Sequence, residues 1–144
     1  MSNIEKAVSC FLEGFTCAQA ILSTYGTQYG INRKAALRLG TGFGGGIARF
    51  GKTCGAVTGA FMVIGLKYGR ETIEDLEAKE KTYKFIREFV NQFQSINGSI
   101  ICRELLGCDI NTPEGREYAE KNDLFIMLCP KFVKSSSEIL ENLL

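Results

Sequence analysis

The chain has 144 residues, 45% of them apolar, which suits a single domain over residues 1–144 with one hydrophobic core. A formal net charge of +1 gives no electrostatic reason to expect nucleic acid or an anionic membrane as a partner. Six cysteines and no histidine exclude Cys/His zinc fingers and histidine-assisted thiol or serine catalysis.

Apolar residues recur at helical spacing through the first third of the chain. They predict a short helix that ends at Gly14, a second that begins at Cys17, and a third that is capped by Asn32. The second helix is expected to end within the segment from Gly26 to Gly30. A glycine-rich stretch then runs from Gly40 to Gly51, and we expect an irregular loop there.

The rest of the chain also has helical periodicity. Residues 53–68 are apolar on nearly every side, which predicts a buried central helix. Residues 72–97 form the clearest amphipathic helix, because opposite charges lie four residues apart on its polar face. Shorter helices are predicted around residues 101–106, from Thr112, and from Pro130 to Leu143.

Only one short segment, Leu124 to Leu128, has the composition of a strand, and no segment alternates convincingly between polar and apolar residues. We therefore predict an all-α fold, a single-domain bundle of about six to eight helices. In this bundle the glycine-rich loop precedes the buried central helix.

Four of the cysteines are predicted to lie in the first turn of a helix. A helix N-terminus carries partial positive charge and free N–H groups, so it favours thiolate over thiol. The neighbouring residues are of the types that begin helices. Thr16 with Gln19 has the spacing of a capping box around Cys17, and Thr53 precedes Cys54. Ser99 is the expected N-cap before Cys102, and Pro130 suits a first helical position after Cys129.

The reactive thiolate of a thiol-based redox protein is predicted at Cys54. It combines a helix start with a glycine loop that admits a partner, and Arg49 and Lys52 lie close in sequence, although both are equally suited to face water. One of the other three cysteines predicted at helix starts would then resolve the disulfide that Cys54 forms with its substrate. This chemistry requires the sulfurs to be close, so we expect the four cysteines to converge in space.

The same four cysteines leave two other hypotheses open. They suit a zinc or iron–sulfur site with four thiolate ligands, although no C-x-x-C pair supports it, whereas thiol–disulfide chemistry requires no cofactor. Because free cysteine often behaves as a small buried hydrophobe, a purely structural or interaction domain is the third hypothesis. Cys10 follows an apolar helix face and fits that structural role, whereas Cys108 lies in a turn.

The N-terminus has no basic region followed by an apolar stretch, and no apolar run approaches the ~20 residues that span a bilayer. We therefore expect a cytoplasmic protein, in which cysteines are more often redox-active or metal-binding than structural disulfides. The expected partner is a redox protein or a small thiol, neither a nucleic acid nor a membrane, and homo-oligomerisation is left open.

Two glycine motifs overlap the loop before the central helix. Residues 46–53 match the phosphate-binding pattern G-x-x-x-x-G-K-[ST], and residues 40–45 match G-x-G-x-x-G. Both motifs require a preceding β-strand, which is not predicted, so nucleotide binding is a minor alternative. The glycines are better explained as a loop whose backbone approaches a cysteine, a helix or a bound ligand, with Gly42, Gly44, Gly45 and Gly46 as the candidate ligand-binding positions.

Five segments around the cysteines and the glycine loop form a joint pattern: Gly14 to Gln19, Gly42 to Gly46, Thr53 to Gly59, Cys102 to Gly107 and Cys129-Pro130. Through these segments the chain resembles the C_GCAxxG_C_C family of redox-active proteins, which is named after its own cysteine pattern. The resemblance runs from about Ala7 to the C-terminus and implies a redox role, with Cys17, Cys54, Cys102 and Cys129 as the family cysteines and Cys10 and Cys108 as extra ones. One departure is that Thr53, and not glycine, precedes the second cysteine.

Overall fold

The computed structural model describes residues 1–144 and contains eight α-helices with no β-strand, which confirms the predicted all-α bundle. A 3₁₀ turn, Gly26–Tyr29, follows the second helix. The helices are α1 (Asn3–Leu12), α2 (Cys17–Tyr25), α3 (Arg33–Thr41), α4 (Gly55–Tyr68), α5 (Leu76–Asn97), α6 (Cys102–Leu106), α7 (Pro113–Lys121) and α8 (Leu124–Leu143).

Helix α4 is the buried central helix that the sequence predicted, and α2, α5 and α8 pack around it. Two of its glycines allow α2 to approach closely. A methyl group on Gly55 would lie 2.9 Å from the amide nitrogen of Ala18, and one on Gly59 would lie 3.1 Å from the Ala18 carbonyl oxygen. On the other side of α4, the buried hydroxyl of Ser136 donates to the carbonyl of Ala56 over 2.7 Å. These contacts fix the N-terminus of α4 between α2 and α8.

The last helix begins earlier than the sequence predicted. The strand-like segment Leu124 to Leu128 forms its first turns, and Pro130 lies inside the helix and not at its start. Proline inside a helix lacks the N–H that would donate to the carbonyl four residues before and normally disfavours this position. Tertiary packing overrides that preference here, because Cys129, Phe132 and Val133 are all buried.

Two other helix starts also differ from the prediction. The helix that contains Cys102 is capped by Ile101, while the Ser99 hydroxyl accepts from the Ile101 N–H and donates to a Glu104 carboxylate oxygen. Ser99 therefore orders the approach to α6 without capping it. Helix α5 begins at Leu76 and not at residue 72, because the Asp75 side chain caps it by accepting from the Ala78 N–H.

The loop between α3 and α4 contains a left-handed turn. From Gly45 to Arg49 every residue has φ between 45° and 68°, including the non-glycine residues Ile47 and Ala48. Backbone bonds within the loop close the turn, such as the one from the Ala48 N–H to the Gly42 carbonyl over 2.9 Å. Left-handed conformation costs roughly 1–2 kcal/mol for each non-glycine residue, so the surrounding structure must stabilise this turn.

Helix α6 holds the end of this loop in place. The Cys54 N–H donates to the Ile100 carbonyl over 2.8 Å, and the Cys102 N–H donates to the Lys52 carbonyl over 2.6 Å. Together with an isolated antiparallel bridge between Thr53 and Ile101, these bonds place the starts of α4 and α6 side by side. None of the eight helices combines the length and the apolar composition that crossing a bilayer requires.

Candidate functional site

Three of the four predicted cysteines begin helices, and the fourth lies within one. Cys17 is the first residue of α2, Cys54 is the N-cap of α4, and Cys102 is the first residue of α6. Cys129 lies inside α8, so the prediction that it occupies a first helical turn is wrong. It still reaches the same place, because α8 packs against α1, α2 and α4. The predicted convergence of the four cysteines is confirmed by the contacts described next.

The start of α2 is built as the sequence predicted. The Gln19 N–H donates to the Thr16 hydroxyl over 3.2 Å, and the Thr16 N–H donates to the Gln19 side-chain oxygen over 2.9 Å. This capping box satisfies two backbone groups and fixes the direction in which the chain enters the helix. It therefore determines where the Cys17 sulfur lies.

Cys17 and Cys54 form an asymmetric thiol pair. The pKa of Cys54 is lowered in spite of its burial, first by interaction with the Cys17 thiol and then by the N–H groups of Ala56 and Val57 at the start of α4. Hydrogen bonds to Cys129 and then to Cys54, with burial, raise the pKa of Cys17 well above its usual value. Of the two thiols, Cys54 is therefore the more acidic, and Cys17 holds its proton more tightly.

Cys102 is the buried, protonated neighbour of this pair. Burial, followed by the negative charge of Cys54 and Cys129, raises the pKa of Cys102 to about 12. Only 8% of its surface is exposed, and the same fraction holds for Cys129. These two residues are therefore less accessible to reagents in solution than the partly exposed Cys17.

The cysteines adjoin an apolar cavity of about 420 Å³. Cys17, Cys102 and Cys129 line it directly, whereas Cys54 lies behind Cys17 and is only 4% exposed. Most of the remaining lining is apolar and comes from α1, the segment before α2, the glycine loop and the start of α8. Those residues are Phe11, Leu12, Gly14, Phe15, Thr16, Gly45, Gly46, Gly55, Phe125 and Ile126.

The glycine loop approaches two of the residues around this cavity. A methyl group on Gly46 would lie 2.5 Å from the Cβ of Cys102, and one on Gly44 would lie 2.5 Å from the methyl carbon of Thr16. Side chains at these positions would therefore displace the cysteine or the cap of α2. Of the candidate ligand-binding glycines, Gly45 and Gly46 line the cysteine cavity, and Gly42, Gly44 and Gly45 line an adjoining one.

The basic residues near the cysteines in sequence do not act on them in the structure. Burial and hydrogen bonds account for the lowered pKa of Cys54, and neither Arg49 nor Lys52 contributes to it. Lys52 is exposed and lies over the Phe50 ring, 6.0 Å from its centroid. Likewise, Arg103 follows Cys102 in the chain but has no effect on its pKa.

The two extra cysteines are placed differently from each other. Cys10 lies on the other side of α1, where its sulfur is 3.8 Å from the hydroxyl of Ser23, and burial raises its pKa. Cys108 is partly exposed after α6 and contributes a small charge effect at Cys102. Neither lines the cysteine cavity. The structural role predicted for Cys10 agrees with its buried position.

The four sulfurs are not arranged as the ligand set of the zinc or iron–sulfur hypothesis. No group of three or more cysteine, aspartate or glutamate side chains in the structure has the geometry to hold a metal ion. All six cysteines are free thiols. The phosphate-loop match at residues 46–53 has no strand before it, since α3 and a series of turns lead to Gly46.

A family model described as "Putative redox-active protein (C_GCAxxG_C_C)" matches residues 15–143. The chain belongs to this family. A search of curated proteins and a search of solved structures each gave no match. The family match spans all four clustered cysteines and excludes α1, although Phe11 and Leu12 of α1 form one wall of the cavity.

Proposed function

We propose that this family member is a thiol–disulfide oxidoreductase in which Cys17 and Cys54 form the redox-active pair. The observation that carries the proposal is the placement of the two thiols: the partly exposed Cys17 lines the cavity, and it lowers the pKa of the buried Cys54. Redox pairs of this kind require one accessible sulfur and one ionised sulfur within reach of it. Cys102 and Cys129 lie beside this pair and are the further candidates for disulfide exchange with it.

The accessible sulfur determines which cysteine reacts first. The sequence favours Cys54 as the reactive thiolate, and the direction of its pKa supports ionisation. However, Cys54 is 4% exposed and does not line the cavity, whereas Cys17 does. We therefore assign the first attack to Cys17 and the second to Cys54.

The reaction balances without a cofactor. In the proposed reaction Cys54 starts as the thiolate. As the Cys17 sulfur attacks a disulfide R–S–S–R, its proton passes to Cys54, the mixed disulfide Cys17–S–S–R forms, and RS⁻ leaves. The Cys54 sulfur then attacks the Cys17 sulfur, loses its proton to the departing group, and releases RSH. The protein is oxidised by two electrons to the Cys17–Cys54 disulfide, and the substrate is reduced to two thiols. The reverse sequence oxidises a dithiol.

Trapping of the mixed disulfide tests this order of attack. In Cys54→Ser, a small disulfide should remain attached to Cys17, because the second attack cannot occur. In Cys17→Ser, the same reagent should modify position 54 at least about tenfold more slowly, because the buried sulfur is inaccessible. Intact-mass measurement with peptide mapping gives the site and the rate.

Cys10→Ser is the matched control, because Cys10 is equally buried but lies outside the cluster. It should leave the rate and the site of modification unchanged. If the mixed disulfide accumulates at Cys54 in Cys17→Ser as quickly as it forms at Cys17 in Cys54→Ser, the order of attack is reversed. If neither variant forms one, the proposed function is wrong.

Analysis of anaerobically purified protein distinguishes the metal-binding alternative from our proposal. If the cysteines bind a metal, this protein would contain stoichiometric zinc or show an iron–sulfur absorption spectrum. The thiols would be protected from modification until a chelator removed the metal. Metal-free protein with a reversible disulfide supports our proposal. We place this activity in the cytoplasm, where a reducing thiol pool keeps such a pair cycling.

A further inference from the structure

A second cavity, of about 530 Å³, adjoins the cysteine cavity. The two share Thr16, Gly45 and Phe125 in their walls, so they lie side by side. Their linings differ in chemistry. The cysteine cavity is mostly apolar, whereas the second contains the charged side chains of Arg49, Arg116 and Glu120.

The two guanidinium groups in this cavity have no partner in the chain. Neither Arg49 nor Arg116 lies within 4.0 Å of a carboxylate, since the one ion pair in the structure joins Lys134 and Glu138. The Nε of Arg116 is buried and makes no hydrogen bond. A buried donor without an acceptor is costly, so this atom is suited to a ligand that accepts hydrogen bonds.

The glycine loop adds neutral donors to the same cavity. The backbone N–H groups of Gly44 and Gly45, where the left-handed turn begins, have no acceptor in the chain, and both residues line the cavity. Successive free N–H groups in such turns form concavities that bind anions. Glu120 is the one carboxylate in the lining and opposes this preference, so the cavity should select a ligand of moderate negative charge.

We propose that the second cavity binds the carboxylate of a substrate whose disulfide sulfur lies against Cys17. The inferred substrate class is a small disulfide that carries carboxylate groups. This inference rests on the proposed thiol–disulfide activity, in which Cys17 forms a mixed disulfide and expels the second half of the substrate as a thiolate. The carboxylate remains near Arg116 while Cys54 resolves the mixed disulfide.

Three disulfides that differ in charge test the inference: dithiodipropionate, hydroxyethyl disulfide and cystamine. Each rate of protein oxidation is divided by the rate of the same reagent with a simple thiol, which removes differences in intrinsic reactivity. The anionic reagent should react roughly fivefold faster than the neutral one, and the cationic one more slowly still. Added salt should reduce this preference.

Single charge-removing variants locate the preference. Arg116→Gln and Arg49→Gln should each lower the ratio of anionic to neutral rates, whereas Glu120→Gln should raise it. Arg87→Gln, on the exposed face of α5, is the control and should leave the ratio unchanged. A ratio near one in the unaltered protein, or a ratio that does not respond to Arg116 and Arg49, overturns the inference.

Binding of a sulfide that cannot exchange separates this inference from the proposed function. Thiodipropionate, the thioether analogue of the anionic reagent, should bind by calorimetry, and Arg116→Gln should weaken that binding by roughly fivefold. If it binds while no disulfide reacts, the anion site stands and the redox function fails. If disulfides react without charge preference and the thioether does not bind, the redox function stands and the anion site fails.

Discussion

At the scale of single residues, the neighbouring thiol of Cys17 distinguishes Cys54 from the other cysteines. Burial by itself would raise the pKa of Cys54, as it raises the pKa of Cys102 to about 12. The thiol of Cys17 and the start of α4 reverse this effect. The low pKa is therefore a property of the pair and not of the helix terminus alone.

Replacement of Cys17 by alanine should raise the pKa of Cys54. The substitution removes the donor that stabilises the thiolate, and a hydrogen bond to a charged group contributes enough to change the pKa by about 1. Ultraviolet absorbance of thiolate, followed as a function of pH, measures the change. Cys17→Ser retains a hydroxyl donor and should give an intermediate value. An unchanged titration in Cys17→Ala would show that α4 alone sets the pKa.

At the scale of elements, the loop between α3 and α4 is the strained part of the molecule. Three consecutive non-glycine residues, Ile47 to Arg49, adopt left-handed conformation. The loop keeps this conformation because backbone bonds to α6 hold it at one end, and because Gly46 packs against Cys102. The strain positions the cavity wall.

Glycine at position 48 should stabilise the protein. Ala48 is exposed, so Ala48→Gly loses little packing and removes roughly 1–2 kcal/mol of conformational strain, offset by about 0.5–1 kcal/mol of backbone entropy. The expected gain is a few tenths to about 1 kcal/mol in the free energy of unfolding, measured by urea denaturation. A loss of stability would mean that the turn is not strained.

The reverse change at position 46 should be strongly destabilising. In Gly46→Ala, the new methyl group would lie 2.5 Å from the Cβ of Cys102 at a residue with positive φ, which should cost about 2 kcal/mol or more. Gly65→Ala is the matched control. That position lies inside α4 with nothing within 4 Å, and the change should stabilise the helix by up to about 1 kcal/mol.

At the scale of the whole molecule, the burial of thiols makes stability depend on pH. Cys102 keeps its proton in the folded protein to about pH 12, whereas in the unfolded chain it loses the proton around its usual pKa of 9.0. Its contribution to stability is therefore complete below pH 9.0 and is lost as the pH rises towards 12. The sign follows because the folded state binds more protons in this window.

Removal of the Cys102 thiol should flatten the alkaline decline in stability. Between the two pKa values, one proton corresponds to a slope of about 1.4 kcal/mol for each pH unit, and Cys102→Ser should remove up to that amount. Urea denaturation in the presence of a reductant, repeated at several alkaline pH values, measures the slope. Cys108→Ser, at a partly exposed position, should change it much less. Parallel declines in all three proteins would contradict the linkage.

The sequence by itself determined the helices, the capping box at Thr16, the buried α4 and the four cysteines of interest, because these depend on local periodicity and composition. It did not reveal that α8 begins at Leu124, since burial of Cys129 and its neighbours outweighs the local preference of Pro130.

Only the tertiary structure decided which sulfur has a lowered pKa and which is accessible. Distances between helices that are remote in sequence put Cys17 in front of Cys54 and excluded Arg49 and Lys52 from its surroundings. The left-handed turn and the cavity at Arg116 likewise have no signal in composition, because long-range hydrogen bonds and packing create both. Local rules act over one helical turn, whereas this site joins residues from Cys17 to Cys129.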